Sequence, residues 1–304
     1  MAKRALFLIN RKSRRGQENQ EAIRNRLIEG GLELIEPDDE SGDPSQLIRR
    51  HQREVELVVI GGGDGSIHLA LPGLVETQLP LGVLPLGTAN DLARSLHLPL
   101  DPVLACEVIL EENAQRIDLG KVNDQWFMNV ASLGLSTDVT DRLTRGAKSR
   151  WGVFAYLFAT MGALSKGRPF KVEIICDGKS YRSRSWQVAV GNGRSYGGGL
   201  TINENAEIDD GVLDLYSLEV EQGWHLITMA IALWRGTLDP LHNVRTLRGT
   251  EIEVRSLRRR RHITADGEML GKTPGRFEIV PAALTVFRPQ PVPEGNGWLS
   301  AATQ

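Results

Sequence analysis

Cysteine is scarce. Cys106 and Cys176 are the only two in 304 residues, and they form no CxxC pair. That leaves no disulfide framework and points to a reducing compartment. Long hydrophobic runs are missing too. The longest, WGVFAYLFATMGAL, covers 14 residues (151–164), short of the roughly 18 that a membrane-spanning helix needs. It reads as a buried helix or one that touches a membrane surface. The apolar run after the basic start, from Ala5 to Ile9, is too short for a signal-peptide core and reads as a first strand. Neither sign of charge is in excess: 36 basic residues against 38 acidic give −2. Bulk charge therefore argues against nucleic acid, and any electrostatic contact with a membrane must come from a local patch. The six histidines (51, 68, 97, 225, 242 and 262) show no HExxH or paired spacing, which argues against a catalytic zinc. His68 reads as a structural or phosphate-proximal helix residue. There is no internal repeat or low-complexity tract.

What is present is an ordinary globular composition, 41% hydrophobic and 24% charged, in a chain long enough for two domains. Apolar strands are expected at 5–9, 32–35, 55–60 and 81–84, with helices at 17–30, 44–51 and about 66–75 between them. Strands apolar throughout and separated by helices imply a parallel sheet covered on both faces. After about Asp118 short alternating strands dominate, at 126–131, 170–176, 186–190, 212–218, 251–255, 262–265, 277–280 and 284–287, as in an antiparallel sandwich. Two helices, near 150–165 and 222–234, interrupt them. The expected architecture is thus an α/β nucleotide-binding domain over 1–118 and a β-rich sandwich domain over 119–287. A Pro/Gly-rich tail, 288–304, extends from the second and could pack back on the first.

Four segments could carry chemistry. GGGDGS at 61–66 follows a buried strand and opens a helix, where glycines and free amides suit a phosphate. It is neither a dinucleotide fingerprint, since Ser66 stands at the third glycine, nor a Walker A loop. Asp64 would repel a phosphate unless a divalent cation is near or it orients a loop. A tight turn without ligand is the bland alternative. PLGTANDLAR at 85–94 ends the next strand. Thr88 or Asn90 could simply cap a helix with Asp91 in its first turn, but two polar turns at successive parallel strand ends line the crevice where such sheets bind ligands. GNGRSYGGG at 191–199 precedes NAEIDDGVLDL at 205–215, whose paired carboxylates read as a hairpin turn or an oxygen-ligand cation site around Asp210. ITADGEMLGK at 263–272 holds a hairpin signal, Asp266-Gly267, followed by Glu268, a short carboxylate able to take a proton.

With these four motifs in this order, the chain resembles the diacylglycerol-kinase catalytic-domain superfamily, and within it the YegS-type bacterial lipid kinases, over nearly its whole length. The resemblance implies ATP in a cleft between an α/β domain and a β-sandwich lipid domain. It implies phosphate contacts from Gly63, Asp64, Gly65, Ser66 and Thr88, with Asp64 and Asp91 organising loops or magnesium-bound water. It further implies Mg2+ held by Asp210 and the carbonyls of Glu207 and Val212, with Glu268 as proton acceptor. The substrate would be a membrane lipid with a free hydroxyl, diacylglycerol- or phosphatidylglycerol-like. The enzyme would be cytoplasmic with peripheral contact at the inner membrane face, it would bind no nucleic acid, and a homodimer is compatible with the sequence. Three positions depart from the pattern: Leu69 stands where relatives carry a carboxylate, Asp38 where they carry Thr, and Glu204 where proline is common. Two rivals stand beside this reading. One is an NAD kinase, which shares a GGDG turn but not the PLGTAND element or the distal DGE. The other is a nucleotide- or membrane-binding regulator that has lost catalysis. The run Arg255 with Arg258, Arg259, Arg260 and Arg261 reads as a solvated loop or as a membrane-facing patch.

Overall fold

The computed structural model describes residues 2–10, 14–37, 42–134, 168–193, 206–219 and 244–290. The expected helices near 150–165 and 222–234, the segment 194–205, Asp38 and the tail beyond 290 lie outside them.

The first part of the chain folds as β1 (Lys3–Ile9), α1 (Arg14–Glu29), β2 (Leu32–Ile35), α2 (Pro44–His51), β3 (Leu57–Gly62), α3 (Asp64–Thr77) and β4 (Leu81–Pro85). The strands pair in parallel in the order β2-β1-β3-β4. Strands β3 and β4 are buried at every residue, as an apolar strand covered on both faces must be. A short α4 (Asp91–Ser95) follows, then α5 (Pro102–Leu110), which packs on α1 and β4. Two Asp-Pro pairs start helices: Asp43 accepts the amide of Ser45, and Asp101 accepts those of Val103 and Leu104, each with proline in the first turn.

Helix α3 carries an internal Pro72, which cannot donate to the carbonyl of His68. One bond further along, the hydroxyl of Ser45 inserts into the ladder, donating to the Leu69 carbonyl (2.7 Å) and accepting from the Gly73 amide (3.1 Å). A side chain spliced into a helix ladder is a recognised cause of bending. It also clamps α2 against α3 and thereby fixes the direction in which α3 presents its first turn.

The remaining strands are β5 (Ala114–Val122), β6 (Gln125–Phe127), β7 (Val130–Gly134), β8 (Phe170–Cys176), β9 (Lys179–Ser185), β10 (Gln187–Gly191), β11 (Leu213–Leu218), β12 (Val244–Gly249), β13 (Glu251–Ser256), β14 (His262–Ala265), β15 (Glu268–Lys272) and β16 (Gly275–Phe287). The long β16 lies beside β4 at Val286–Leu81 and continues the first sheet as β4-β16-β13-β8-β9, with β5 also paired to β16. The second sheet, β12-β11-β10-β7-β14-β15, is antiparallel throughout. It packs on the antiparallel half of the first sheet around Phe127, Leu133, Val172, Ile174, Leu215, Val254 and Phe277. The architecture is therefore a mixed sheet with parallel strands and helices, joined to an antiparallel sandwich.

Several sequence-expected boundaries shift. The strand expected at 55–60 starts at Leu57, the helix expected from Ser66 starts at Asp64, and the strand at 126–131 is broken into β6 and β7. The two strands at 277–280 and 284–287 are one, β16, irregular between Val280 and Leu284. Both cysteines are buried and free, and burial pushes the Cys106 thiol up to about 12, leaving it protonated at neutral pH.

Candidate active site

The glycine turn at the end of β3 and the turn after β4 pack back to back. A Cβ on Gly63 would stand 3.0 Å from the Cα of Gly87, and one on Gly87 would stand 2.5 Å from the Cα of Gly63. No side chain fits between them, so both positions are glycine. The second turn is closed from within: Asn90 sits at φ 53° and its amide side chain accepts from the Gly87 amide (2.9 Å) and donates to its carbonyl (3.1 Å). Asn90 therefore shapes the loop and does not cap a helix with its side chain.

Asp64 joins the two turns. Its carboxylate accepts the backbone amides of Asp91 (3.1 Å) and Leu92 (3.0 Å), so it caps α4 from across the crevice. Of the two readings the sequence left open, loop orientation is the one this geometry satisfies. Burial pushes the Asp64 carboxyl above its ordinary value; the Leu92 and Asp91 amides pull it back, and the charges of Asp91 and Asp266 push it further up. Around this braced pair the binding-competent groups stay open. A Cβ on Gly65 would meet nothing within 4 Å, Thr88 is exposed, and the first turn of α3 offers amides at the positive end of the helix. Ser66 accepts a long bond from Asn10 (3.4 Å), whose own amide donates to the Gly61 carbonyl. Asn10, at the end of β1, is a site neighbour that no motif announced.

The sandwich reaches this crevice through Asp266. Asp266 and Gly267 both have positive φ (49° and 90°) and turn β14 into β15, the primed geometry an Asp-Gly hairpin favours. The turn is more than a hairpin. The Asp266 carboxylate accepts the amides of Met128 (2.8 Å), Asn129 (3.0 Å) and Val130 (3.3 Å) and contacts Nδ1 of His68 (3.2 Å). Its side chain is fully buried and that of His68 nearly so. His68 lies four residues into the helix that the glycine turn opens, about 6 Å along its axis. Two residues beyond Asp266, Glu268 is exposed; its backbone pairs with Ala265 in the hairpin, and its carboxylate has no hydrogen-bond partner among the described residues.

The third motif is tied in from behind. Asn192 donates to the carbonyls of Asp118 (2.8 Å) and Met128 (3.0 Å). Buried Asp118 accepts the amides of Gly211 and Ala282, both at 2.7 Å. The expected metal ligands Glu207, Asp210 and Val212 share one turn. Asp210 accepts the amides of Glu207 (3.3 Å) and Val212 (3.2 Å) and an ion pair from Arg248. Arg248 is shared: it also lies 3.2 Å from the buried Asp214 carboxylate, so one guanidinium faces two carboxylates. A magnesium ion at this turn would have to displace that guanidinium, and no cluster of three acidic, His or Cys ligands exists among the described residues.

Two glycine-bearing turns at parallel strand ends are thus braced against each other, and the Asp266-Gly267 turn of the antiparallel sheet is fastened to the helix that the first of them opens. Residues 4–122 match the diacylglycerol kinase catalytic domain, and residues 129–288 match the YegS C-terminal NAD kinase beta sandwich-like domain. The chain is 34% identical over 244 residues to a diacylglycerol kinase of Mycobacterium tuberculosis, covering 77% of each chain. It is 30% identical over 294 residues to a probable lipid kinase YegS-like of Pseudomonas putida, covering 94% of this chain and 96% of that one. A crystal structure of a diacylglycerol kinase from Bacillus anthracis shares the fold, with a TM-score of 0.76 at 24% identity over 95% of this chain and 97% of that one. The chain belongs to the diacylglycerol kinase and YegS-like lipid kinase family. It is an enzyme, a kinase that acts on a lipid.

Proposed function

We propose that the enzyme transfers the γ-phosphate of ATP to the hydroxyl of a membrane lipid, with a diacylglycerol- or phosphatidylglycerol-like acceptor. The observation that carries this is the His68–Asp266 contact, which fastens the turn bearing Glu268 to the helix opened by the glycine turn. Phosphoryl transfer asks a protein mainly for positioning and charge neutralisation. The amides and glycines at 63–66 and the Thr88 hydroxyl hold the triphosphate. Asp64 and Asp91 keep the two loops in register. Glu268 takes the proton from the lipid hydroxyl as its oxygen bonds to the γ-phosphorus, and ADP departs carrying the electron pair of the broken P–O bond. A bound magnesium ion would supply counter-charge to the triphosphate; Asp210 with the carbonyls of Glu207 and Val212 would hold it, in exchange for the Arg248 guanidinium that pairs with Asp210 and Asp214. The acceptor places the enzyme at a membrane face, and no helix among the described residues is long and apolar enough to cross one.

The test is incubation with γ-labelled ATP, magnesium and a total lipid extract, followed by identification of the labelled lipid, with NAD as a parallel acceptor. A labelled lipid carrying a new phosphomonoester is expected. Label on NAD and none on lipid would overturn the reading.

A further inference from the structure

The cations at one end of the sandwich are distributed in a way that internal pairing does not explain. On the outer face of the first sheet, successive cross-strand rows run over β9, β8 and β13. In the inner row Arg182, Glu173 and Arg255 are register neighbours, and Glu173 lies 2.8 Å from Arg182 and 3.8 Å from Arg255. One row outward, Arg184 stands opposite Lys171, and Leu257 donates its amide to the Lys171 carbonyl (3.0 Å). That row places two like charges directly opposite each other, an arrangement that destabilises a sheet. Its third member, Leu257, is 46% exposed. The chain then continues through Arg258, Arg259 and Arg260, all exposed, and Lys272 is exposed on β15 opposite His262. Among the described residues none of these six cations has a carboxylate partner.

The loop itself is firmly rooted. Arg261 exchanges backbone and hydroxyl hydrogen bonds with Thr273 (2.8 and 2.9 Å), and its guanidinium lies over the Phe170 ring at 4.7 Å. A rigid, uncompensated cationic rim around one exposed leucine fits a flat, anionic, partly apolar surface. We infer that this rim (Lys171, Arg184, Leu257 to Arg260 and Lys272) docks the enzyme on the surface of an anionic lipid bilayer. Basic side chains gain affinity from such a surface one by one, and the leucine can enter the headgroup boundary. Duplex nucleic acid would answer the charge but not the leucine. From the rim, β14 leads straight to the Asp266-Gly267 turn, about 13 Å away at the rise of an extended strand. Docking there keeps Glu268 near the bilayer; this part rests on a membrane-borne acceptor.

Sedimentation with vesicles tests the surface without turnover. The intact enzyme is expected to bind phosphatidylcholine vesicles containing about one third phosphatidylglycerol, to leave them at high salt, and to ignore pure phosphatidylcholine. R258Q/R259Q/R260Q should weaken binding about a hundredfold, roughly fivefold per cation removed. K171Q/R184Q should weaken it about twentyfold on the same scale while leaving the melting temperature unchanged or higher, because a like-charge pair is relieved. Phosphorylation of a detergent-dispersed lipid by both variants separates loss of docking from failure of the kinase reading. Wild-type binding to anionic vesicles by both variants would overturn the inference, as would tighter binding of the intact enzyme to duplex DNA than to anionic vesicles.

Discussion

The polar residues of the motifs fall into two regions that use the same chemistry to opposite ends. In the seam behind the site, Asp64, Asp118 and Asp266 spend their oxygens, and Asn192 its amide, on backbone groups of other segments, while Asn90 closes its own turn. By contrast, the Thr88 hydroxyl, the Glu268 carboxylate and the open space at Gly65 have no such internal partners among the described residues. The difference separates residues committed to the fold from residues left open, the ones the proposed reaction uses. A motif read as a string does not make this distinction, because Asp266 and Glu268 are two letters apart.

Breaking the seam should give the largest loss of stability. Asp266→Ala leaves three amides without their acceptor, at about 1–3 kcal/mol for each buried group left unsatisfied. Urea denaturation should report a loss of several kcal/mol, and an unchanged midpoint would remove Asp266 from the seam. Asp64→Ala removes the cap from α4 and should cost about 1–2 kcal/mol by the same measurement, with a raised KM for ATP as the 85–91 loop loosens. Among the open residues the expected pattern inverts. Thr88→Ala should leave the denaturation midpoint unchanged, and Gly65→Ala, whose methyl meets open space on a helix, should hold or raise it, while both raise KM for ATP; a lowered midpoint would show that they belong to the fold.

The smallest effect is in pH. Asp64 has its folded value raised by burial, so its contribution is fully present below the ordinary carboxylate value and is lost as pH rises through the raised one. Asp64→Asn should therefore gain on the wild type as pH rises towards neutrality. Glu219 behaves oppositely. Burial pushes it up, but the Arg245 guanidinium, bonded to both its oxygens, outweighs that and holds it below its ordinary value. The stability from that pairing is present above about pH 4.5 and is lost as pH falls below it. Melting curves of Asp64→Asn and Glu219→Gln across pH 3 to 7 should diverge from the wild type at opposite ends.

The parallel half of the fold was legible because its strands are apolar throughout, and β2 and α2 fall where the pattern placed them. In the second half the unanticipated strands include β9 (KSYRSRS), β12 (VRTLRG) and β15 (EMLGK), all at sheet edges. An edge strand has little apolar surface to bury and is kept soluble by lysine and arginine, so the periodicity that marks a central strand is faint. The candidate site was legible as four motifs. Their joining was not, since His68–Asp266 and Asp64–Leu92 are long-range contacts that leave no local signal. The partner of Asp210 was equally silent in the sequence: Arg248, 38 residues away, pairs with it.

The division between committed and open residues is tested most directly by Glu268→Gln, assayed at once for turnover with ATP and detergent-dispersed lipid, ATP affinity by calorimetry, and the denaturation midpoint. Loss of turnover by about a hundredfold or more, the range for a displaced general base, with affinity and midpoint unchanged, is the expected result. Turnover within a few fold of the wild type, or a fall in the midpoint comparable to that of Asp266→Ala, would contradict it.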